Sequence, residues 1–209
     1  MSHKNKFYVS IFTLWLFTIS GIFGILSSHS EWFLGLTPLN LGLYFLLILW
    51  NLKKHSLKFF LACLIPFSFG FVSEFLGANY GLIFGSYNYG ENLGYKIGGV
   101  PIMICVNWIV LTIITSDISC YFHRNIFVRS LLAAFMMVLL DIVIEVSAPR
   151  FDFWEFENGI VPIQNYVGWL FVSFLSHVGF QQFHFETHKK FSIHVFIAIS
   201  IFFLTFLIV

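Results

Sequence analysis

Seven stretches of this chain are apolar for long enough, or nearly so, to cross a hydrocarbon layer about 30 Å thick as helices. They run near residues 7–26, 34–52, 57–77, 101–119, 127–148, 162–183 and 191–209, with Pro38 interrupting the start of the second. None alternates apolar and polar positions as a barrel strand does, so helices are the expected spanning elements. Short connections such as residues 51–56 make neighbouring segments antiparallel. The two long connections, residues 78–100 and 149–161, are rich in Gly, Tyr, Phe, Trp and acids, which suits irregular backbone packed against protein at the membrane boundary. No polar linker divides the chain. The pattern predicts an all-α integral membrane protein with about seven transmembrane helices, residues 1–209 forming one polytopic domain.

Composition agrees with the pattern and adds an orientation. Hydrophobic residues make up 58% of the chain and charged residues only 10%, where a soluble domain carries about a quarter charged. With the N-terminus in the cytoplasm, Lys4, Lys6, Lys53, Lys54, Lys58, Arg124, Arg129, Lys189 and Lys190 fall on the inner side, and only Lys96 and Arg150 on the outer. That imbalance predicts a multi-pass protein of the cell inner (cytoplasmic) membrane with its N-terminus inside. The first segment has the basic flank of a signal peptide, but its apolar run is too long and no small-residue cleavage site follows. Cys63, Cys105 and Cys120 are odd in number and dispersed, which argues against a disulfide or metal framework. No basic patch suggests nucleic acid.

One arrangement occurs twice. Glu74 closes the third segment, a loop carries Phe84-Gly85-Ser86-Tyr87-Asn88-Tyr89, Pro101 opens the fourth, and Trp108 lies seven residues on. Asp141 and Glu145 close the fifth, a loop carries Phe153-Trp154, Pro162 opens the sixth, and Trp169 again lies seven residues on. Both units run outward and back, so they form a parallel internal repeat about an axis along the membrane normal. Proline suits a first helical turn in any helix, but the repeated Pro-to-Trp spacing needs more than that.

Asp141 and Glu145 are four apart and share a helix face. An ionised acid deep in a bilayer costs roughly 2.5–3.5 kcal/mol on insertion scales, so such groups face a bundle interior or water and often carry function. Carboxyls crowded together out of water hold at least one proton between them, and a neutral carboxylic acid can donate it. The competing reading is that Glu74, Asp141 and Glu145 cap helices or bind the loops. Asp117, at the inner end of the fourth segment, reads as a solvated or dipole-perturbed terminus. Tyr87, Tyr89, Trp108, Trp154 and Trp169 lie beside the outer acids and could cage a cation, at roughly 0.5–2 kcal/mol per ring. Tyr and Trp also gather at membrane boundaries without any catalytic role. Asn107 and Asn165 could orient a water or a carboxyl, or bind helix to helix. His184 and His188 are too few for a membrane di-iron site, and His177 reads as a bundle hydrogen-bonding group. No nucleophile triad, phosphate loop or dinucleotide fingerprint is present.

At these residues the chain resembles the CruF-type carotenoid hydratases, the membrane family that includes bisanhydrobacterioruberin hydratase and carotenoid 1,2-hydratases. The likeness rests on residues 74–77 and 84–89, Gly99-Val100-Pro101 with Trp108, Asp141, Ala148, Trp154, Val161-Pro162, Asn165 and Gly168-Trp169, about half of the chain. Glu145-Val146 stands where the family pattern has Asp-Pro, and Phe156 where a second Trp is usual. The resemblance implies addition of water to the terminal C=C of an acyclic carotenoid end group, giving a tertiary alcohol with no cofactor and no metal. In that reading Asp141 is the general acid, Glu145 assists it and Glu74 positions or activates water, with the five aromatic residues and two asparagines around the substrate. Its partners are membrane lipid, the carotenoid itself and other enzymes of the same pathway.

Two other classes fit the residues. A small heptahelical proton-coupled transporter could use paired acids as a relay, but it needs a polar path to both faces, and the acids within these spans crowd one end. A non-catalytic carotenoid-binding protein would hold pigment and leave its mass unchanged.

Overall fold

A computed structural model describes residues 3–183 and 187–208. Helices α1 (His3–Ile25), α3 (Thr37–Trp50), α4 (Leu57–Tyr80), α5 (Ile102–Ser119), α6 (Ile126–Ser147), α7 (Ile163–Gln181) and α8 (Lys189–Ile208) coincide with the seven apolar stretches. A short α2 (Ser30–Leu34) precedes α3, so the second span starts later than its hydrophobicity suggests, with Pro38 in the first turn of α3. His184 and Val209 lie outside the described residues. Among the described residues six spans are long and apolar enough to cross a membrane, α2 and α3 together making one of them. The seventh, α7, is more polar, because it turns Asn165, Ser173, Ser176, His177 and Gln181 into the bundle, where all are buried. This is a multi-pass, all-α membrane protein.

Local chemistry sets the helix ends. The Ser56 side chain accepts from Phe59 N to start α4, and Asn125 Oδ1 accepts from Phe127 N at 2.9 Å to start α6. Pro101 and Pro162 are the N-caps of α5 and α7, both in extended backbone immediately before the first helical residue. Where α4 ends, Gly81 takes a left-handed conformation, φ 65°.

The repeat units are the hairpins α4–α5 and α6–α7, which pack on each other through α4 against α7 and α5 against α6. Their loops meet as a two-stranded antiparallel ribbon, β1 (Tyr87–Tyr89) on β4 (Trp154–Phe156), centred on Asn88 opposite Glu155. A two-fold axis through that centre makes Tyr87 the counterpart of Trp154 and Tyr89 that of Phe156. The equivalence extends back along both chains: Phe84 and Phe151 are each 1% exposed, and Gly85 (φ 98°) and Asp152 (φ 53°) both have positive φ. Trp108 and Trp169 stack near the same axis, ring centroids 4.5 Å apart and 10° from parallel. The first loop also holds a small hairpin, β2 (Lys96–Ile97) on β3 (Val100–Pro101), absent from the second. Further bonds tie the loops together, Gly90 N to Phe153 O (2.9 Å) and Glu157 N to Ser86 O (3.0 Å) among them. With their polar backbone paired in this way, the two loops form a lid on one end of the bundle.

The opposite end of the bundle carries the basic residues other than Lys96 and Arg150. Asp117 there is buried, contrary to its expected solvation: its carboxylate accepts from the Thr187 hydroxyl and from Ser192 Oγ at 2.5 Å, tying α5 to the start of α8. Deeper in the bundle, His177 Nδ1 donates to Ser173 O at 2.6 Å while Nε2 lies 2.8 Å from Thr115 Oγ1, which joins α7 to α5.

Candidate functional site

Three carboxyls reach one cavity beneath the loop lid. Glu74 comes from α4, and Asp141 and Glu145 come from successive turns of α6. They are 3%, 2% and 6% exposed, so none can shed its solvation cost into bulk water. The space open to the centre of a water is about 30 Å³, enough for at least one. Most of the wall is apolar, with Phe84, Ile104, Leu111, Met137, Leu140 and Ile144 around the acids.

Glu74 collects three donors. Tyr87 Oη lies 2.5 Å and Tyr89 Oη 2.7 Å from Oε2, while Trp108 Nε1 donates to Oε1 at 2.9 Å. Burial, and then the charge of the adjoining Glu74, push both phenols above the usual tyrosine range, so both keep their protons and donate them. Two glycines make this geometry possible. A Cβ on Gly77 would stand 2.7 Å from Tyr87 Oη, and one on Gly70 would stand 2.5 Å from the Trp108 ring. Each ring can lie against α4 only because those positions lack a side chain.

The second unit builds its half differently. Trp154 Nε1 donates to Glu145 Oε2 at 3.0 Å, and Asn165 Nδ2 reaches both Asp141 Oδ2 (2.7 Å) and Glu145 Oε1 (3.2 Å). The amide therefore bridges the acid pair. If Glu145 is the counterpart of Glu74, Asp141 one turn earlier answers to Gly70, and a carboxyl stands where the first unit leaves room for an indole.

Of the residues singled out in the sequence, Glu74, Tyr87, Tyr89, Asn107, Asp141, Glu145, Trp154, Asn165 and Trp169 all line the cavity. Trp108 does not. Fully buried, it stacks on Trp169 and donates to Glu74 Oε1. Sequence reasoning gave no role in the site to Gly70, Gly77 or the aliphatic wall. The glycines signal themselves only once Tyr87 and Trp108 are known to cross α4. Among the described residues no group of three or more His, Cys, Asp or Glu side chains is arranged to hold a metal ion.

A mostly apolar cavity, three buried carboxyls and flat aromatic faces can deliver a proton to an apolar group and hold the charge that results. A family model described as "Carotenoid biosynthesis protein" matches residues 31–209, and the chain belongs to that family. No curated protein and no solved structure matches the chain.

Proposed function

We propose that this carotenoid biosynthesis protein is a carotenoid hydratase, adding water across the terminal C=C of an acyclic end group to give a tertiary alcohol. The observation that carries the reading is the convergence of carboxyls from both repeat units on one mostly apolar cavity with room for a water. Markovnikov hydration of a trisubstituted alkene needs a proton donor, surroundings that tolerate a tertiary cation, and a water held at the cation.

The hydrogen bonds suggest how the roles divide. Glu74, with three donors aimed at it, is arranged as a carboxylate. Asp141, which accepts only the Asn165 amide among its hydrogen bonds above, is the acid. Its proton goes to the less substituted alkene carbon, and the π electrons form the new C–H bond. The positive charge left on the tertiary carbon faces the Trp169 ring and the carboxylates. Water then forms the C–O bond and gives up a proton to Glu74. Return of that proton to Asp141, through Glu145 and cavity water, closes the cycle with no cofactor.

We place the loop-bearing end on the outer face of the cytoplasmic membrane, with the N-terminus inside, from the distribution of basic residues. A long polyene lying in the bilayer would present its end group at that depth.

Expression in a lycopene-producing host, with mass spectrometry of extracted pigments, tests the reading. The expected result is pigment heavier by one water. Pigment that copurifies at unchanged mass would make this a binding protein, and unchanged pigment with acid-driven proton movement in vesicles would make it a transporter.

A further inference from the structure

A second cavity adjoins the carboxyl pocket. The two share Ile104, Asn107, Leu111, Ile144 and Trp154 in their walls, and the space open to a water's centre in the second is about 70 Å³, more than twice that in the first. Its remaining wall is largely apolar, from Leu41 on α3, Leu93 in the first loop, and Ile199, Phe202 and Phe203 on α8.

The polar side chains in this wall are Thr37, Asn40, Tyr44, Asn107 and Trp154. Thr37 Oγ1 donates to Leu34 O at 2.6 Å, Asn40 Nδ2 donates to Tyr44 Oη at 3.3 Å, and Trp154 Nε1 donates to Glu145 Oε2 at 3.0 Å. Thr18 Oγ1 gives its proton to Leu14 O, so the Tyr44 hydroxyl, 3.4 Å away, donates to Thr18. Asn40 Oδ1 has no partner, but it is buried beyond the reach of a water. Asn107 makes no side-chain hydrogen bond among the described residues, and it stands in the wall shared with the carboxyl pocket. Away from that shared wall, every side-chain polar atom around the chamber is bonded within the protein or out of reach. Such a wall suits a ligand segment that can make no hydrogen bonds.

We propose that the second cavity is the subsite for the isoprenoid chain behind the reacting alkene, holding the first methyl-branched unit after the end group. The inference rests on the hydratase reading and places the part of the substrate that this reading leaves unplaced. A terminal alkene cannot reach Asp141 unless the unit joined to it follows, and the adjoining chamber is where that unit goes. Lipid tails are as apolar as the chamber wall, so the chain gains little affinity by leaving the bilayer. What the chamber supplies is position, because an end group held by its tail presents the same carbon to the acid at each encounter. Asn107 marks the junction, where hydrocarbon gives way to the pocket with room for water. No bond is made or broken in the chamber.

The test uses the full chain in lipid nanodiscs. In its first arm a fifteen-carbon isoprenoid hydrocarbon, ending in a trisubstituted alkene, carries a photoreactive diazirine on its second unit. After irradiation of the unaltered protein, peptide mass spectrometry should place the crosslinks at Leu41 on α3 or at Ile199, Phe202 or Phe203 on α8. Crosslinks confined to other positions, such as Phe127 and Phe171 in the outward groove between α6 and α7, overturn the proposal. The second arm compares water addition to the same chain without the diazirine and to a six-carbon alkene with the same end and no second unit, at equal mole fraction in lipid. Leu41→Phe and Ile199→Phe each fill the chamber, from different helices. Each should lower kcat/KM about tenfold for the long probe and by less than about twofold for the short one. An equal loss for both probes, or none for either, overturns the proposal. Where neither variant folds, the crosslinks in the unaltered protein decide alone. Crosslinks in the chamber without any water addition would sink the hydratase reading and leave the chain subsite standing. Water addition with crosslinks elsewhere would sink only the subsite.

Discussion

The two repeat units share a backbone and differ in the proton chemistry built on it. In each, a loop aromatic at the same place in the ribbon, Tyr87 or Trp154, reaches down to a glutamate one helix away, Glu74 or Glu145. Around that common frame the first unit adds two donors, Tyr89 and Trp108, and the second adds another acid, Asp141. On the hydratase reading proposed above, one half holds negative charge and the other holds a proton. In that proposal an alkene between them would meet a donor on one side and a charge-stabilising, water-accepting group on the other, as stepwise hydration requires. Pseudo-symmetry brings the halves together, and the proposed reaction would use the places where it fails.

The largest test of this division removes the acid that has no counterpart. Asp141→Asn should lower hydration by about a thousandfold, within the range for loss of a general acid. Glu74→Gln leaves Asp141 able to donate and should cost less, about a hundredfold. Both are read as hydrated pigment formed per mole of protein in nanodiscs. The reverse order, with Glu74→Gln the more damaging, would exchange the roles of the two halves.

A smaller effect is expected where the frame itself is touched. Gly77→Ala places a methyl 2.7 Å from Tyr87 Oη, so the ring must leave Glu74 or the loop must lift. Overpacking of this kind costs about 1–3 kcal/mol, read as a lower thermal unfolding midpoint in detergent. The counterpart Ala148 already carries that methyl and is fully buried, so the second loop sits on α6 with room for it. Ala148→Gly should therefore change stability much less than Gly77→Ala. Equal effects at the two positions would mean that the loops rest on their helices in the same way.

How much of this could be read beforehand follows from the length of each signal. Spans of about twenty residues announce themselves by hydrophobicity alone, and acids at their ends stand out because charge inside such spans is costly. The Pro-to-Trp spacing was legible because nothing is inserted between Pro101 and Trp108 or between Pro162 and Trp169. The loop equivalence was not. Residues 84–89 and 151–156 align by phenylalanines and a positive-φ position, but the extra hairpin at Lys96–Pro101 changes the distance from each loop to its proline. Three-residue strands leave too little alternation to register.

The finest test asks whether the two loop aromatics do equal work. Trp154→Phe removes the N–H that Glu145 accepts, but Asn165 still reaches Glu145 at 3.2 Å. Tyr87→Phe removes one of three donors to Glu74 and leaves Tyr89 on the same oxygen. Neither change empties a carboxyl of partners, so each should cost only a few-fold in rate, about the value of one hydrogen bond to a charged group. The halves part company in combination. Tyr87→Phe should add little on top of Glu74→Gln, because both act on the same carboxyl, and should multiply the effect of Asp141→Asn, which acts on the other half. Trp154→Phe should show the opposite pattern, coupled to Asp141 through Glu145 and Asn165 and independent of Glu74. If both substitutions couple equally to both acids, the three carboxyls act as one pool of protons, and the division of labour between the repeats disappears.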